Sequence, residues 1–241
     1  MSFHNWFPDK WRNSAAPMLT EPGYFVPDNT VGTAFYIEYQ NNVYAVTATH
    51  VLTKCNNPML CYYDVQEKLQ RISSKAFSDV VNLKWIDHPD GSIDISAIPF
   101  TVEDHMDIHV ILESDWNILY DLDPDDKILH TGYPKQYGTT YVNGAIGYLP
   151  TILDGTVAFY DDDKIVTYTD GQGGASGGPL FMKGDNERPQ LIGIAYHSVP
   201  TSVPEQNMTS SLPIHLLKPL LDSKQMKDQM SNYQKILRDN M

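Results

Sequence analysis

Short extended runs separated by turn residues fill most of the chain, and no helix-length pattern alternates with them. Between Tyr24 and Ile98 the runs GTAFYIEY, VYAVTAT, MLCYY, KLQRIS, VVNLKWI and SIDISAIPF are rich in β-branched and aromatic residues and are broken by turn formers such as QNN. A second series, KILHTGY, TTYVNGAIGYL, TVAFY, KIVTYT, GGPLFM and QLIGIAYH, follows an acidic stretch from Glu103 to Asp126. Parallel sheets need helical crossovers of about 10 to 15 residues between strands. A chain without them builds antiparallel barrels or sandwiches, and two β units joined by a linker are the simplest arrangement.

From Pro213 the period changes. Leu217, Leu220, Leu221, Met226, Met230, Tyr233 and Leu237 recur at helical spacing, which predicts an amphipathic C-terminal helix with its apolar stripe on the second unit.

With 241 residues, 41% of them hydrophobic, the chain can bury a domain-sized core. Seventeen Lys and Arg against thirty Asp and Glu give a net charge of -13, which argues against nucleic acid or an anionic membrane as partner. No stretch approaches the roughly 20 apolar residues of a membrane span, and the first two dozen residues lack a signal-peptide pattern, so a cytoplasmic location is expected. Cys55 and Cys61 provide no disulfide framework; they read as free thiols, with a local bridge as the alternative.

Residues 170 to 180 read DGQGGASGGPL. Glycine destabilises regular structure and is useful where φ must be positive or backbone must approach closely, so this stretch is either filler or a site built from backbone N–H groups. Its one serine, Ser176, becomes a nucleophile only if a base takes its proton and a third group orients that base. Two partners stand in the first series: His50, just after VYAVTAT, and Asp94, whose neighbours Ile93 and Ile95 imply a partly buried carboxylate in need of a donor. Asp87 and Asp90 are rivals to Asp94, but they lie in the turn-like DHPDG.

In this order the three residues resemble the chymotrypsin/trypsin-like serine peptidases, in particular the bacterial trypsin-like and HtrA-like branches. GTAFYIE followed by VYAVTATHVL is similar to the hairpin leading to the catalytic histidine, SIDISAIPF to the run around the aspartate, and GGASGGPLF to the nucleophile loop. LIGIAYHS resembles the strand lining the substrate cleft, and SLPIHLLKPL the segment before the closing helix, so the resemblance covers about residues 24 to 225. It implies an all-β fold of two antiparallel six-stranded barrels with a C-terminal helix. The boundaries would be an N-terminal extension (1–23), an N-terminal barrel (24–105), a linker (106–126), a C-terminal barrel (127–212) and the helix (213–241).

The resemblance further implies a serine endopeptidase acting on protein or peptide substrates without a cofactor. Ser176 would attack, His50 would carry the proton, Asp94 would orient His50, and the amides of Gly174 and Ser176 would form the oxyanion hole. Ala195, Tyr196, His197 and Ser198 would pair with substrate backbone. Asp170, Gly171, Gln172 and Gly173 would border the specificity pocket: Asp170 either binds Lys or Arg at its floor or merely makes a turn with Gly171. Two features depart from the family pattern. Ala175 stands where members activated by an inserted N-terminus keep an aspartate, and Gln172 stands where a disulfide cysteine would be.

His88, His105, His109, His130 and His215 show no metal-ligand spacing and read as structural or exposed, while DLDPDD lacks the glycine and glutamate of a calcium loop. No metal site is expected. Two alternatives to an active peptidase stay open: a catalytically silent domain that binds through its cleft, and a domain opened by an activating partner.

Overall fold

A computed structural model of the chain describes residues 7–20, 30–54, 57–66, 68–118, 121–133, 140–142, 145–147, 150–169, 174–184, 187–199 and 207–239. Its first unit is built from β1 (Ala15–Leu19), β2 (Thr30–Tyr39), β3 (Asn42–Thr47), β4 (Met59–Tyr63), β5 (Leu69–Ser73), β6 (Ile86–Asp87) and β7 (Ser96–Phe100). They form an antiparallel sheet in the order β5-β4-β1-β2-β3-β7-β6. The QNN turn joins β2 to β3, with Gln40 and Asn41 at φ 50° and 61° and Tyr39 paired to Asn42. Two left-handed residues in a two-residue loop match the twist of the flanking strands.

The second unit contains β8 (Lys127–Gly132), β9 (Thr140–Val142), β10 (Ala145–Gly147), β11 (Thr151–Tyr160), β12 (Ile165–Tyr168), β13 (Pro179–Lys183), β14 (Pro189–Val199) and β15 (Met208–Pro213). Six of these close a barrel, β11-β12-β15-β14-β13-β8, because β8 pairs with both β13 and β11; β9 and β10 make a separate ribbon. Register shifts that leave an extra residue in β11 and two in β14 supply the bends that closure requires.

The architecture is therefore one closed six-stranded barrel beside an open seven-stranded sheet, a correction to the expectation of two six-stranded barrels. Two strands account for the difference. Strand β1, within the stretch read as an extension, inserts between β2 and β4. At one edge β6 is two residues long and pairs with β7 alone, and among the described residues nothing joins it to β5.

The run VVNLKWI is not a strand before its last residue, Ile86, which opens β6. Ser73 accepts a hydrogen bond from the Ala76 amide (3.0 Å) and so starts a helix, Ser74–Val81, which Asn82 ends at φ 52°. With Thr49–Thr53 as α1, this helix is α2. An N-cap serine supplies an acceptor to an amide that the helix itself cannot pair, and this outweighs the β-propensity of Val80 and Val81.

The C-terminal segment is a 3-10 turn (Ile214–Leu216), α3 (Leu217–Leu221) and α4 (Lys224–Asp239). Helix α4 packs on the first unit, not on the second as expected. It contacts β7, and its buried Met226, Met230 and Tyr233 join the core cluster that contains Ile98 and Phe100. Polar contacts fix the docking. Gln229 donates to the Lys84 carbonyl (2.8 Å) and accepts from the Lys84 amide (3.1 Å), and Gln234 donates to Asn42 Oδ1 (2.7 Å).

One hydrophobic cluster runs through both units, from Phe35, Ile37 and Val46 to Leu129, Phe181 and Ile194, and the barrel interior holds a second around Ile128, Val157 and Leu180. Phe7 and Trp11 seal the first cluster, with their rings 5.2 and 5.5 Å from that of Phe181. Cys61 is a free, buried thiol, and burial pushes its pKa up to about 12. Cys55 lies outside the described residues. Because Met226 is fully buried in the helix seam, Met226→Ala is expected to destabilise the fold by about 2–5 kcal/mol, measured as a lower urea midpoint at unchanged slope.

Candidate active site

Strand β3 ends at Thr47, Ala48 is extended, and α1 begins at once, so His50 occupies the second helical position. Its N–H is one of the first-turn amides that a helix leaves unpaired. Asp94 fills that role from the loop before β7. Asp94 Oδ1 accepts the His50 amide at 2.8 Å and Oδ2 lies 2.5 Å from His50 Nδ1. Both carboxylate oxygens are thus committed to one residue, which fixes the ring plane and places the proton on Nδ1, leaving Nε2 as the acceptor. The side chains are about three-quarters buried, 25% exposed for His50 and 23% for Asp94.

A further hydroxyl chain stands behind this pair. Thr49 Oγ1 and Ser96 Oγ are 2.8 Å apart, and Ser96 donates to Asp87 Oδ1 at 2.6 Å. Asp90 instead accepts from Ser92 in its own turn. Both rivals of Asp94 are engaged away from His50.

The serine loop folds against the same edge of the first sheet. Gly174 and Gly177 have φ 101° and 87°, conformations that a Cβ would strain. At Gly177 a Cβ would also stand 2.4 Å from Thr47 Oγ1 and 2.9 Å from the Ala48 nitrogen, so the loop touches the chain two residues before His50. Its hydrogen bonds hold it from both sides: Gly177 N–H donates to Ala195 O (2.6 Å), and the Thr33 N–H donates to Ser176 O (2.7 Å). The Thr33 hydroxyl donates to Gly174 O (2.8 Å) and accepts from the Tyr133 amide (3.0 Å). Thr33 thus joins β2, the serine loop and the end of β8. Sequence reading missed it, because a threonine within GTAFYIEY carries no mark beyond β-propensity.

Among the described residues the amides of Gly174 and Ser176 donate to no acceptor, although Gly174 is buried. The Ser176 hydroxyl donates to the Tyr196 carbonyl at 3.4 Å, and it makes no hydrogen bond to His50.

Beside Ser176 lies a small recess of about 10 Å³. Ala195, Tyr196, His197 and Ser198 of β14 form one wall, and His130 of β8 and Thr209 of β15 form another. Asp170, Gly171, Gln172 and Gly173 lie outside the described residues. His130, grouped at the sequence level with structural or exposed histidines, is 1% exposed. Burial lowers its pKa to about 4, against a hydrogen bond with the Ala175 backbone that raises it. Its signal was the position between Leu129 and Thr131 in an apolar run.

No protein-family model and no curated protein sequence matches this chain. Its fold is similar to that of several solved protease structures. The protease domain of MamO from Magnetospirillum magneticum in its apo form superposes with a TM-score of 0.61 at 11% identity, covering 89% of this chain and 99% of that one. A serine endoprotease from Yersinia pestis gives 0.57 at 14% identity, covering 93% and 67%. The HtrA-type protease AlgW, solved with a tripeptide, gives 0.56 at 16% identity, covering 90% and 63%, so the chain spans less than two thirds of that protein. The chain has the all-β, trypsin-like fold of these protease domains.

Two outcomes follow for the site's scaffold. Thr33→Val leaves Gly174 O and the Tyr133 amide unpaired and should lower stability by about 1–3 kcal/mol, read from chemical denaturation. The folded-state pKa of His130 lies below its unfolded value of about 6.5, so its contribution is fully present above pH 6.5 and is lost as the pH falls towards about 4. His130→Asn should therefore lose less stability than the wild type between pH 7 and pH 4.5, measured by urea midpoints at both values.

Proposed function

From a trypsin-like protease fold that gathers Asp94, His50 and the Ser176 loop at one edge, we propose that the protein is a serine endopeptidase acting on protein or peptide substrates. One observation carries the reading: Asp94 grips both the amide and Nδ1 of His50, and the serine loop packs through Gly177 against Thr47 and Ala48, just before that histidine.

The chemistry follows from these atoms. Ser176 Oγ turns from the Tyr196 carbonyl towards His50 Nε2, loses its proton there and attacks the scissile carbonyl. Asp94 stabilises the imidazolium that forms and holds its orientation. The amides of Gly174 and Ser176 receive the oxyanion, a donor pair that costs no reorganisation because φ at Gly174 and Gly177 is already set. His50 then protonates the leaving amine, and water repeats the sequence to release the acyl group. A free buried thiol at Cys61 suits a reducing compartment, and the cytoplasm is the proposed location. Among the described residues no helix is long and apolar enough to cross a membrane.

The hydroxyl's position on Tyr196 O favours a second reading as well, in which the resting site is off and a substrate or an activating partner turns it on. Fluorophosphonate labelling separates the two. Rapid labelling of the isolated protein at Ser176 supports a constitutive enzyme; labelling only with substrate peptide or partner present supports gating; none under any condition leaves the silent binding module.

In an active preparation, Asp94→Asn should lower kcat by about 10⁴-fold, because the wrong tautomer of His50 is then favoured. Ser176→Ala should lower it by about 10⁶-fold. Hydrolysis of a peptide library read by mass spectrometry, wild type against Ser176→Ala, checks the assignment. Cuts that persist in the variant would refute it.

A further inference from the structure

Strand β6 consists of Ile86 and Asp87 alone, and its ladder with β7 sets Asp87 directly opposite Ser96. Ser96 is fully buried, with its hydroxyl 2.6 Å from Asp87 Oδ1 and 2.8 Å from Thr49 Oγ1. The direction of these bonds is forced. A carboxylate only accepts, so Ser96 gives its one proton to Asp87 and takes the bond to Thr49 as an acceptor. The chain therefore ends on a charge, which strengthens its last link.

Both members of the charged pair stand next to this chain. Thr49 precedes His50 at the start of α1, and Ser96 follows Asp94 by two residues at the start of β7. The β3–β7 ladder closes with Thr47 opposite Ser96, so His50 and Asp94 both lie beyond the last regular pair. Past that point the backbone tie is thin: the Thr49 N–H reaches Asp94 O only at 3.4 Å. Helix α1 has five residues and no side-chain cap at Ala48, and a helix of that length does not hold its own shape. The two bonds from Asp94 fix the ring of His50 relative to the carboxylate, but not where the pair stands as a unit.

Resting on the peptidase reading, we propose that Asp87 is a positioning residue for the His50–Asp94 pair: through Ser96 and Thr49 it clamps the first turn of α1 to β7 and so sets where Nε2 of His50 stands before Ser176. The role asks for an acceptor at position 87. An asparagine carbonyl there would still take the Ser96 proton, whereas an alanine would leave that buried hydroxyl to turn back on Thr49. The first turn of α1 would then hang on one neutral hydrogen bond whose direction is no longer fixed.

The test reads the pair itself before it reads catalysis. The proton in a short bond from an imidazole N–H to a carboxylate gives a far-downfield ¹H NMR signal, and its exchange with water reports how firmly the pair is held. In the full chain, Asp87→Ala should raise the exchange rate of His50 Nδ1–H about tenfold, and Asp87→Asn by no more than about threefold. Thr49→Val removes the other end of the chain and should match Asp87→Ala, and the two together should do no more than either alone, because they break one connection. Thr49→Val also carries the test should Asp87→Ala fail to fold. In turnover of a peptide substrate, Asp87→Ala should lower kcat about tenfold with KM changed by less than about twofold. An unchanged exchange rate or kcat in Asp87→Ala, additive effects of the two variants, or a wild type without the downfield signal would each overturn the proposal. Fluorophosphonate labelling reports on the peptidase reading separately: an unlabelled Ser176 beside a pair that Asp87→Ala loosens would refute the peptidase and keep the positioning role.

Discussion

A single threonine joins the two halves of this site. The backbone N–H of Thr33 holds Ser176 O, its hydroxyl holds Gly174 O while accepting from Tyr133, and its own carbonyl accepts from Thr47 Oγ1 (2.7 Å). Two of these bonds hold the serine loop, one reaches the end of β8, and one ties β2 to β3, the strand that delivers His50. Positive φ at Gly174 and Gly177 gives the loop freedom to adopt its shape, but freedom is not position. The bonds to Ser176 O and Gly174 O set the position, and they cross between the units, the second at a sequence separation of 141 residues. Asp94 plays the equivalent part on the other side, with two oxygens on two nitrogens of His50.

The two units contribute different materials. The first sheet supplies charge and orientation through Asp94, His50 and the Thr49–Ser96–Asp87 hydroxyl chain, all near an edge that water reaches in part. The barrel supplies backbone donors and neutral, buried hydrogen-bonding groups. Keeping the charged pair out of the barrel avoids placing an ion where nothing in the described walls could balance it. An ion pair that crosses a boundary, Arg188 with Asp115 at 2.9 and 3.0 Å, clips the inter-unit segment to the β13–β14 turn; burial raises the Asp115 pKa against the pull of the guanidinium.

The parts legible in the sequence were those whose cause is local. Alternation and turn residues marked β2, β3, β4 and β7, and the glycine frame around Ser176 announced a loop with special backbone. Parts set by distant chain were not legible. Thr33 reads as one more β-branched strand residue, since its partners lie across the interface. Strand β15, MTSSLP, is too polar to be read as a strand; its hydroxyls are buried within a barrel, Thr209 at 4% and Ser211 at 0% exposure, which no local pattern reveals. His130 looked ordinary for the same reason. VVNLKWI misled in the opposite direction, because Ser73 had already committed the preceding residues to a helix. The C-terminal apolar stripe was visible, but periodicity says only that a helix has a face, not which sheet covers it.

That covering has a consequence for the order of assembly. The first sheet is translated early, yet its outer face near β7 is closed by Met226, Met230 and Tyr233 of α4, and Lys84 and Asn42 find partners in Gln229 and Gln234. The unit that presents His50 and Asp94 is thus begun first and finished last. A ribosome must release nearly all of the described chain before that sheet is sealed, so the nucleophile's barrel can be complete while its base is still awaiting its support.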